Sequence, residues 1–230
     1  MNPLSLTCEY NKKIFESNLG ISKFGNAGIS HNGNLYIKPS GVDVCALLES
    51  EVSVLEIKSA KQLSGLSPST DTPTYIELLR SFPSIGAIIH THSKFATAWA
   101  QTCKPIPCIG TSHADYWSVN IPVTEELNHA QIVDCYEKQT GLQIINKIKD
   151  MKVHPLSCPG ILVSSHGPFV WGKNIQEAYE HAILLEYVAE TTYLSLNIKP
   201  NTELLSLELR NKHFNRKNGK ESYYGQSGTP

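Results

Sequence analysis

The sequence predicts an α/β sandwich in which helices flank a mainly antiparallel central sheet, and three observations carry that prediction. Short strand-like segments and periodic helical segments are intermixed along the chain, without the regular β-α-β repetition that a parallel sheet requires. No repeat, low-complexity tract or linker interrupts the 230 residues before the last stretch, so one domain over 1–230 is expected. Hydrophobic residues make up 40% of the chain, enough for a substantial core.

The elements follow from local pattern and punctuation. Residues 34–38 (Asn-Leu-Tyr-Ile-Lys) form a strand that runs into the turn Pro39-Ser40-Gly41, and residues 51–57 alternate as a half-buried strand does. Thr74 to Ser81 is helical, opened by Asp71-Thr72-Pro73, where an acidic or hydroxyl cap precedes proline. Gly86-Ala-Ile-Ile-His-Thr-His-Ser93 holds an apolar strand ending in two histidines, and a helix over about 93–102 follows. A further apolar strand, Gly160–Ser165, leads into His166-Gly167-Pro168. The clearest helix runs from Asn174 to about Leu196, because Ala178, Ala182, Leu185 and Ala189 keep 3.6-residue spacing behind an Asn cap. Segments 124–150 and 201–212 are also helical candidates, whereas the basic, glycine-containing tail from Lys212 onward is read as non-helical.

Composition narrows the function. Lys and Arg total 20 against 21 Asp and Glu, which argues against a nucleic-acid or anionic-membrane partner and requires any anion to be held locally. The first residues lack the cationic and apolar regions of a signal peptide, and no apolar run is long enough to span a bilayer, so a cytoplasmic location is expected. The six cysteines show no C-x-x-C spacing and are read as reduced.

The chemistry-bearing residues begin with His90 and His92. In a strand, positions i and i+2 project from one face, so two imidazoles share a pocket with a spacing that suits one divalent cation. A half-exposed hydrogen-bonding pair would look the same locally. His166, at the end of its own strand, brings a third imidazole, and Asp71 is a candidate fourth ligand, although a helix-capping role explains it equally well. Three segments rich in glycine and hydroxyl groups could hold an oxyanion: Gly25-Asn26-Ala-Gly28, Pro39-Ser40-Gly41 and Ser67-Pro-Ser69-Thr70-Asp71, with Lys38 adding charge beside the second. Each of them, taken singly, reads equally well as an ordinary turn.

Longer motifs then make a resemblance specific. Gly25-Asn26, Ile37-Lys-Pro-Ser-Gly-Val-Asp43, Ser69-Thr-Asp-Thr-Pro-Thr74, Phe82-Pro-Ser-Ile-Gly86, His90-Thr-His-Ser93, Ser112-His-Ala-Asp-Tyr116, Ser165-His-Gly-Pro-Phe-Val-Trp-Gly-Lys-Asn174 and Tyr223-Tyr-Gly-Gln226 occur in order from about residue 20 to residue 226. Together they resemble the L-ribulose-5-phosphate 4-epimerases of the class II aldolase superfamily. The resemblance implies a class II aldolase-like three-layer sandwich and a Zn²⁺ site of Asp71, His90, His92 and His166, with another divalent ion as an alternative. It implies a substrate phosphate held around Gly25, Asn26, Ser40, Gly41, Ser69 and Thr70. It also implies that Asp115 and Tyr224 are the acid/base pair, and that His113 supports its loop. Family members are homotetramers with sites at subunit contacts, so Tyr224, His213 and Arg216 of the C-terminal tail are expected to complete a neighbour's site.

Three positions depart from the pattern that the resemblance implies. Gly28 stands where a serine is usual, Thr70 replaces a serine, and Tyr75 occupies a place where histidine is common. Two other readings compete. Related sugar-phosphate aldolases of the L-fuculose-1-phosphate aldolase type place a glutamate where this chain has Asp71, and adducin head domains share the fold as binding modules without the metal ligands.

Overall fold

Seven strands, β1 (Asn26–His31), β2 (Asn34–Ile37), β3 (Ser53–Glu56), β4 (Gln62–Ser64), β5 (Ala87–His90), β6 (Gly160–Val163) and β7 (Gly167–Gly172), build one sheet in the computed structural model, which describes residues 2–219 and 223. Their order is β4-β3-β2-β1-β5-β7-β6, and each neighbouring pair is antiparallel. The expected antiparallel α/β architecture is thus what the chain adopts.

Helices cover the sheet on both faces. These are α1 (Pro3–Glu16), α2 (Thr72–Ser81), α3 (Lys94–Gln101), α4 (Thr111–Ala114), α5 (His129–Asp150), α6 (Ile175–Ile198) and α7 (Leu207–Asn218). Helix α2 packs on α5, while α6 lies on β5 and β7 beside α1 and α3. Strand register puts the two groups on opposite sides. Gly28 faces Tyr75 of α2, whereas its neighbour Ile29 pairs with Ala87, which pairs with Gly172 beneath Ala178 of α6. Between the layers lie Leu35, Ile88, Ile89, Phe169 and Trp171, all fully buried. The α6 stripe of Ala178, Ala182, Leu185 and Ala189 is buried as its spacing predicts.

Several expectations need correction. Strand β5 ends at His90, so His92 lies in the loop that follows it, and the same-face rule for strand positions does not by itself bring the two rings together. His166 belongs to the turn of the β6–β7 hairpin, with Ser165 before it at φ 60°. The segment Gly25–Gly28, read as a turn, enters β1 from Asn26 onward. Helix α7 continues through Lys212 to Asn218 and buries none of its residues, so it has no apolar period to detect. The α5 helix starts at His129 rather than at 124. The six cysteines are free, in line with the reduced reading, and among the described residues no helix is long and apolar enough to cross a membrane.

Candidate metal and anion site

The site grows from one end of the sheet. Asn26 of β1 pairs with His90 of β5, and His90 pairs with Phe169 of β7, so three neighbouring strands set these side chains in a row on the face covered by α2. From the far face, the buried amide of Asn11 on α1 grips Ala27: it donates from Nδ2 to the Ala27 carbonyl at 3.1 Å and accepts the Ala27 N–H at 2.8 Å. On the cleft side, Tyr75 of α2 donates to the Asn26 carbonyl at 3.0 Å, and its hydroxyl oxygen accepts the His90 N–H at 3.1 Å. Burial and the charge of Asp71 push the Tyr75 phenol well above its ordinary pKa, so the hydroxyl keeps its proton. Gly28 and Tyr75, two of the departures from the family pattern, touch each other: a Cβ on Gly28 would stand 2.8 Å from the Tyr75 ring.

Three imidazoles converge beyond this row. His90, His92 and His166 each offer a ring nitrogen, and these nitrogens lie within 4.8 Å of one another. The His90 ring stacks on Phe169 with centroids 4.2 Å apart, and its Nδ1–H donates to the Pro168 carbonyl at 2.9 Å. That tautomer leaves a lone pair on Nε2, which faces Nε2 of His92 at 3.1 Å. Two ligands of a tetrahedral ion with Zn–N bonds of roughly 2.0–2.1 Å would be separated by about 3.3 Å, so the spacing suits a shared cation. His166 Nδ1 lies 3.2 Å from the hydroxyl of Tyr136, and donation to that oxygen frees its Nε2. Gly167 follows because a Cβ there would meet the Thr91 carbonyl at 2.9 Å. The backbone N–H of Thr91 donates to the Pro168 carbonyl and thereby ties the His92 loop to the start of β7.

Electrostatics keeps these rings neutral. Burial pushes the His90 pKa down to about 4, with His166 and His92 adding to the effect and Asp71 opposing it. Burial lowers His92 and His166 as well. Neutral imidazole is the metal-binding form. Asp71 lines the same cleft, yet it stands outside the cluster formed by the three histidines. Its Oδ2 accepts from Asn26 Nδ2 at 2.7 Å, and it makes no side-chain cap for α2, so the capping explanation does not hold. Asn26 Oδ1 is buried with no hydrogen-bond partner, an acceptor left for a bound group. Donor set, spacing and protonation all fit a divalent cation.

A cleft of about 540 Å³ joins this cluster to the anion side. Gly25, Asn26, Lys38, Ser40, Gly41, Ser69, Thr70, Asp71, His90, His92 and His166 line it, so most residues singled out from the sequence meet here. Lys38 is buried, and its ammonium has the Pro39 carbonyl as a hydrogen-bond partner at 3.4 Å. Burial first, and the neighbouring Lys23 second, lower its pKa, and an anion in the cleft would relieve both. The sequence reading missed Ser22, Lys23, Phe24, Tyr136 and Glu137, which complete the lining. Cys135 breaks the helical path of α5 at φ −155° and ψ 85°, immediately before Tyr136 and Glu137 reach the cleft; a side-chain period cannot report such a kink.

Asp115 is not part of this cleft in the chain. It caps the C-terminus of α4 and faces α7, where Arg216 donates from Nε to Oδ1 at 2.8 Å and from Nη2 to Oδ2 at 2.6 Å. His213 Nδ1 lies 3.1 Å from Oδ1, and Asn218 donates to the Asp115 carbonyl at 3.0 Å. His213 and Arg216 thus converge on Asp115 and do not line the cleft of their own chain. His113 on α4 is buried, with Nε2 donating to the Val119 carbonyl at 3.0 Å, as befits a loop support. Tyr224 lies outside the described residues.

Residues 5–193 match the class II aldolase and adducin N-terminal domain, and the chain belongs to that family. Among solved structures, it is similar to an L-fuculose 1-phosphate aldolase with a TM-score of 0.79 and 22% identity, covering 93% of this chain and 95% of the other. Similarity to the Escherichia coli protein YgbL, described provisionally as an aldolase/epimerase/decarboxylase, has a TM-score of 0.73 at 20% identity over 92% and 97% of the two chains. The L-fuculose-1-phosphate aldolase of Thermus thermophilus aligns with a TM-score of 0.68 at 16% identity over 86% and 97%. At these identities the likeness establishes the fold.

Proposed function

We propose that the chain is a Zn²⁺-dependent sugar-phosphate enzyme that interconverts L-ribulose 5-phosphate and D-xylulose 5-phosphate, with an L-fuculose-1-phosphate-type aldolase as the second reading. The observation that carries the proposal is the juxtaposition, in one cleft, of three neutral imidazoles and a buried lysine among hydroxyl groups. The sequence resemblance selects the epimerase. Asp71 as fourth ligand agrees with that choice, because its carboxylate is short and already oriented by Asn26. When bound, the cation supplies Lewis-acid polarisation of the substrate's ketone and neutralises negative charge that develops on its oxygens.

The carbon to be inverted, C4, lies away from the ketone, so its C–H is not acidic and simple enolisation cannot invert it. In the proposed course, a base takes the C4 hydroxyl proton and the C3–C4 bond breaks, leaving its electron pair on the three-carbon fragment and glycolaldehyde phosphate as the other. Lys38, Ser40, Ser69 and Thr70 retain the aldehyde through its phosphate while it turns its other face to C3. The C3–C4 bond re-forms, and a second group returns a proton to the C4 oxygen. Asp115 and Tyr224 are assigned these two proton transfers. Since Asp115 does not line the cleft of its own chain, the assignment requires a homotetramer in which the α4–α7 side of one subunit adjoins the cleft of another. Arg216 and His213 would then orient Asp115 from its own chain.

A coupled assay that follows D-xylulose 5-phosphate from L-ribulose 5-phosphate, with and without chelator, tests the proposal. Chelator-sensitive formation of D-xylulose 5-phosphate supports it. Cleavage of a ketose phosphate into free aldehyde and dihydroxyacetone phosphate, with no epimer, selects the aldolase.

A further inference from the structure

We infer that Tyr75 is a positioning residue for the metal-binding histidines, and that Gly28 is the partner position which gives its ring room to act. The inference rests on reading His90, His92 and His166 as a metal site. Its starting point is a single hydroxyl that reaches two strands at once. The Tyr75 oxygen accepts the backbone N–H of His90 and donates to the backbone carbonyl of Asn26, the two residues that form the last register pair of β1 and β5. One of these residues carries an imidazole of the cluster, and the other orients Asp71.

The ring of Tyr75 works on the same histidine by a second route. It meets Phe169 edge-on, with centroids 6.3 Å apart, and Phe169 lies flat against the His90 ring. The hydroxyl therefore fixes the backbone of His90 while the ring backs the aromatic surface on which its imidazole stacks. Tyr75 itself is fully buried and belongs to α2, whose first residues follow directly from Asp71. A shift of α2 relative to the sheet would thus be felt by Asn26, Asp71 and His90 together.

This arrangement fits only because position 28 has no side chain. A Cβ on Gly28 would stand 2.8 and 2.9 Å from two ring carbons of Tyr75 and 3.0 Å from a methyl of Leu35, both fully buried. Gly28 does not have a left-handed backbone; its glycine serves packing and not conformation. A methyl group there would push on the ring whose hydroxyl holds the two strands.

The experiment measures Zn²⁺ affinity by competition with a chelating dye, together with thermal unfolding of the metal-free protein. Tyr75→Phe keeps the ring and removes the hydroxyl; its Zn²⁺ Kd is expected to rise roughly 10–100-fold, as for other groups that orient a metal ligand without touching the metal. Gly28→Ala, which crowds the ring, is expected to weaken Zn²⁺ binding by at least several-fold. In a Tyr75→Val background, where the ring is gone, Gly28→Ala should cause no further loss. A Tyr75→Phe protein that binds Zn²⁺ within twofold of wild type, or a Gly28→Ala loss of the same size in both backgrounds, overturns the inference. Absence of Zn²⁺ binding by the wild-type protein overturns the site reading itself, and the inference with it.

Discussion

In the cleft, three imidazoles stand within 4.8 Å of one another with burial holding them neutral, whereas at the α4–α7 contact a carboxylate is met by a guanidinium and an imidazole, with an amide on the backbone carbonyl of the same residue. The cleft sets like donors side by side and leaves lone pairs and the Asn26 acceptor without complements, an arrangement that costs free energy until a ligand arrives. The Asp115 cluster answers its own charge through a two-pronged guanidinium pair. One region sets donors that fit a cation, and the other holds a carboxylate already oriented by its own chain. The difference also separates what the two regions should lose on substitution.

The largest effect is expected in the cleft. His92→Ala removes one of three neutral nitrogen donors, and metal content measured by atomic emission should fall from about one per chain to a small fraction. Epimerase turnover should drop about 10³-fold or more with it, equivalent to about 4 kcal/mol of transition-state stabilisation. Retained metal with lost turnover would mean that the imidazole acts in some other way.

Asp115→Asn should separate the two regions. It keeps the shape of the side chain and leaves the cleft untouched, so metal content should stay at the wild-type value while turnover falls about 10²-fold, the low end for a positioned acid or base. Loss of metal in this variant would join the regions more tightly than the geometry of one chain allows. If the proposed assembly holds, mixing His92→Ala and Asp115→Asn subunits sharpens the comparison: recovery of activity on mixing shows that a cleft and the Asp115 that serves it come from different chains.

Legibility in the sequence follows the same division. His90, His166 and the hydroxyl turns stand out because they adjoin apolar strands, and apolar strands are what a period of two reveals. Strand alternation is an incomplete reason for His92 to lie beside His90, since the strand stops at His90 and the Thr91–Pro168 backbone bond does the rest. Strand β1 is hidden behind two glycines: Gly25 at φ 104° marks a left-handed residue just before the strand, but Gly28 marks close approach of the Tyr75 ring. Strand β7 opens on Gly-Pro, which reads as punctuation. Helix α7 has Ser206 as its cap, yet no apolar face, because it is held through His213 and Arg216 rather than through a core. No local pattern could show that Asp115 faces that helix across about one hundred residues of chain.

A contrast of similar size concerns pH. Burial holds His113, beside the Asp115 cluster, at about 4 in the folded chain, against about 6.5 when it is exposed. The unfolded chain therefore binds more protons between these values, and stability falls as pH drops from about 6.5 towards 4. For this group the loss amounts to about 3 kcal/mol. Denaturant unfolding of the metal-free protein at pH 7 and pH 4 should show that difference reduced by a similar amount in His113→Gln. An unchanged difference would place the acid sensitivity in the other histidines whose pKa values burial lowers, those of the cleft and His181.

The smallest effect is expected where the cleft most resembles its counterpart, at Lys38, the single buried Lys or Arg among the described residues. Lys38 differs from Arg216 in having a carbonyl in place of a carboxylate as its hydrogen-bond companion, and under the proposed function its ammonium answers the substrate phosphate. Lys38→Met keeps the length and removes the charge. KM for L-ribulose 5-phosphate should rise about 30-fold, equivalent to about 2 kcal/mol for a charge-assisted hydrogen bond, while kcat changes little. Inorganic phosphate, a competitor expected to use the same anchor, should lose inhibition by a similar factor. If kcat falls and KM does not, Lys38 acts on the reacting carbons rather than on the phosphate, and the anion side of the cleft must then be assigned to its hydroxyl and backbone donors alone.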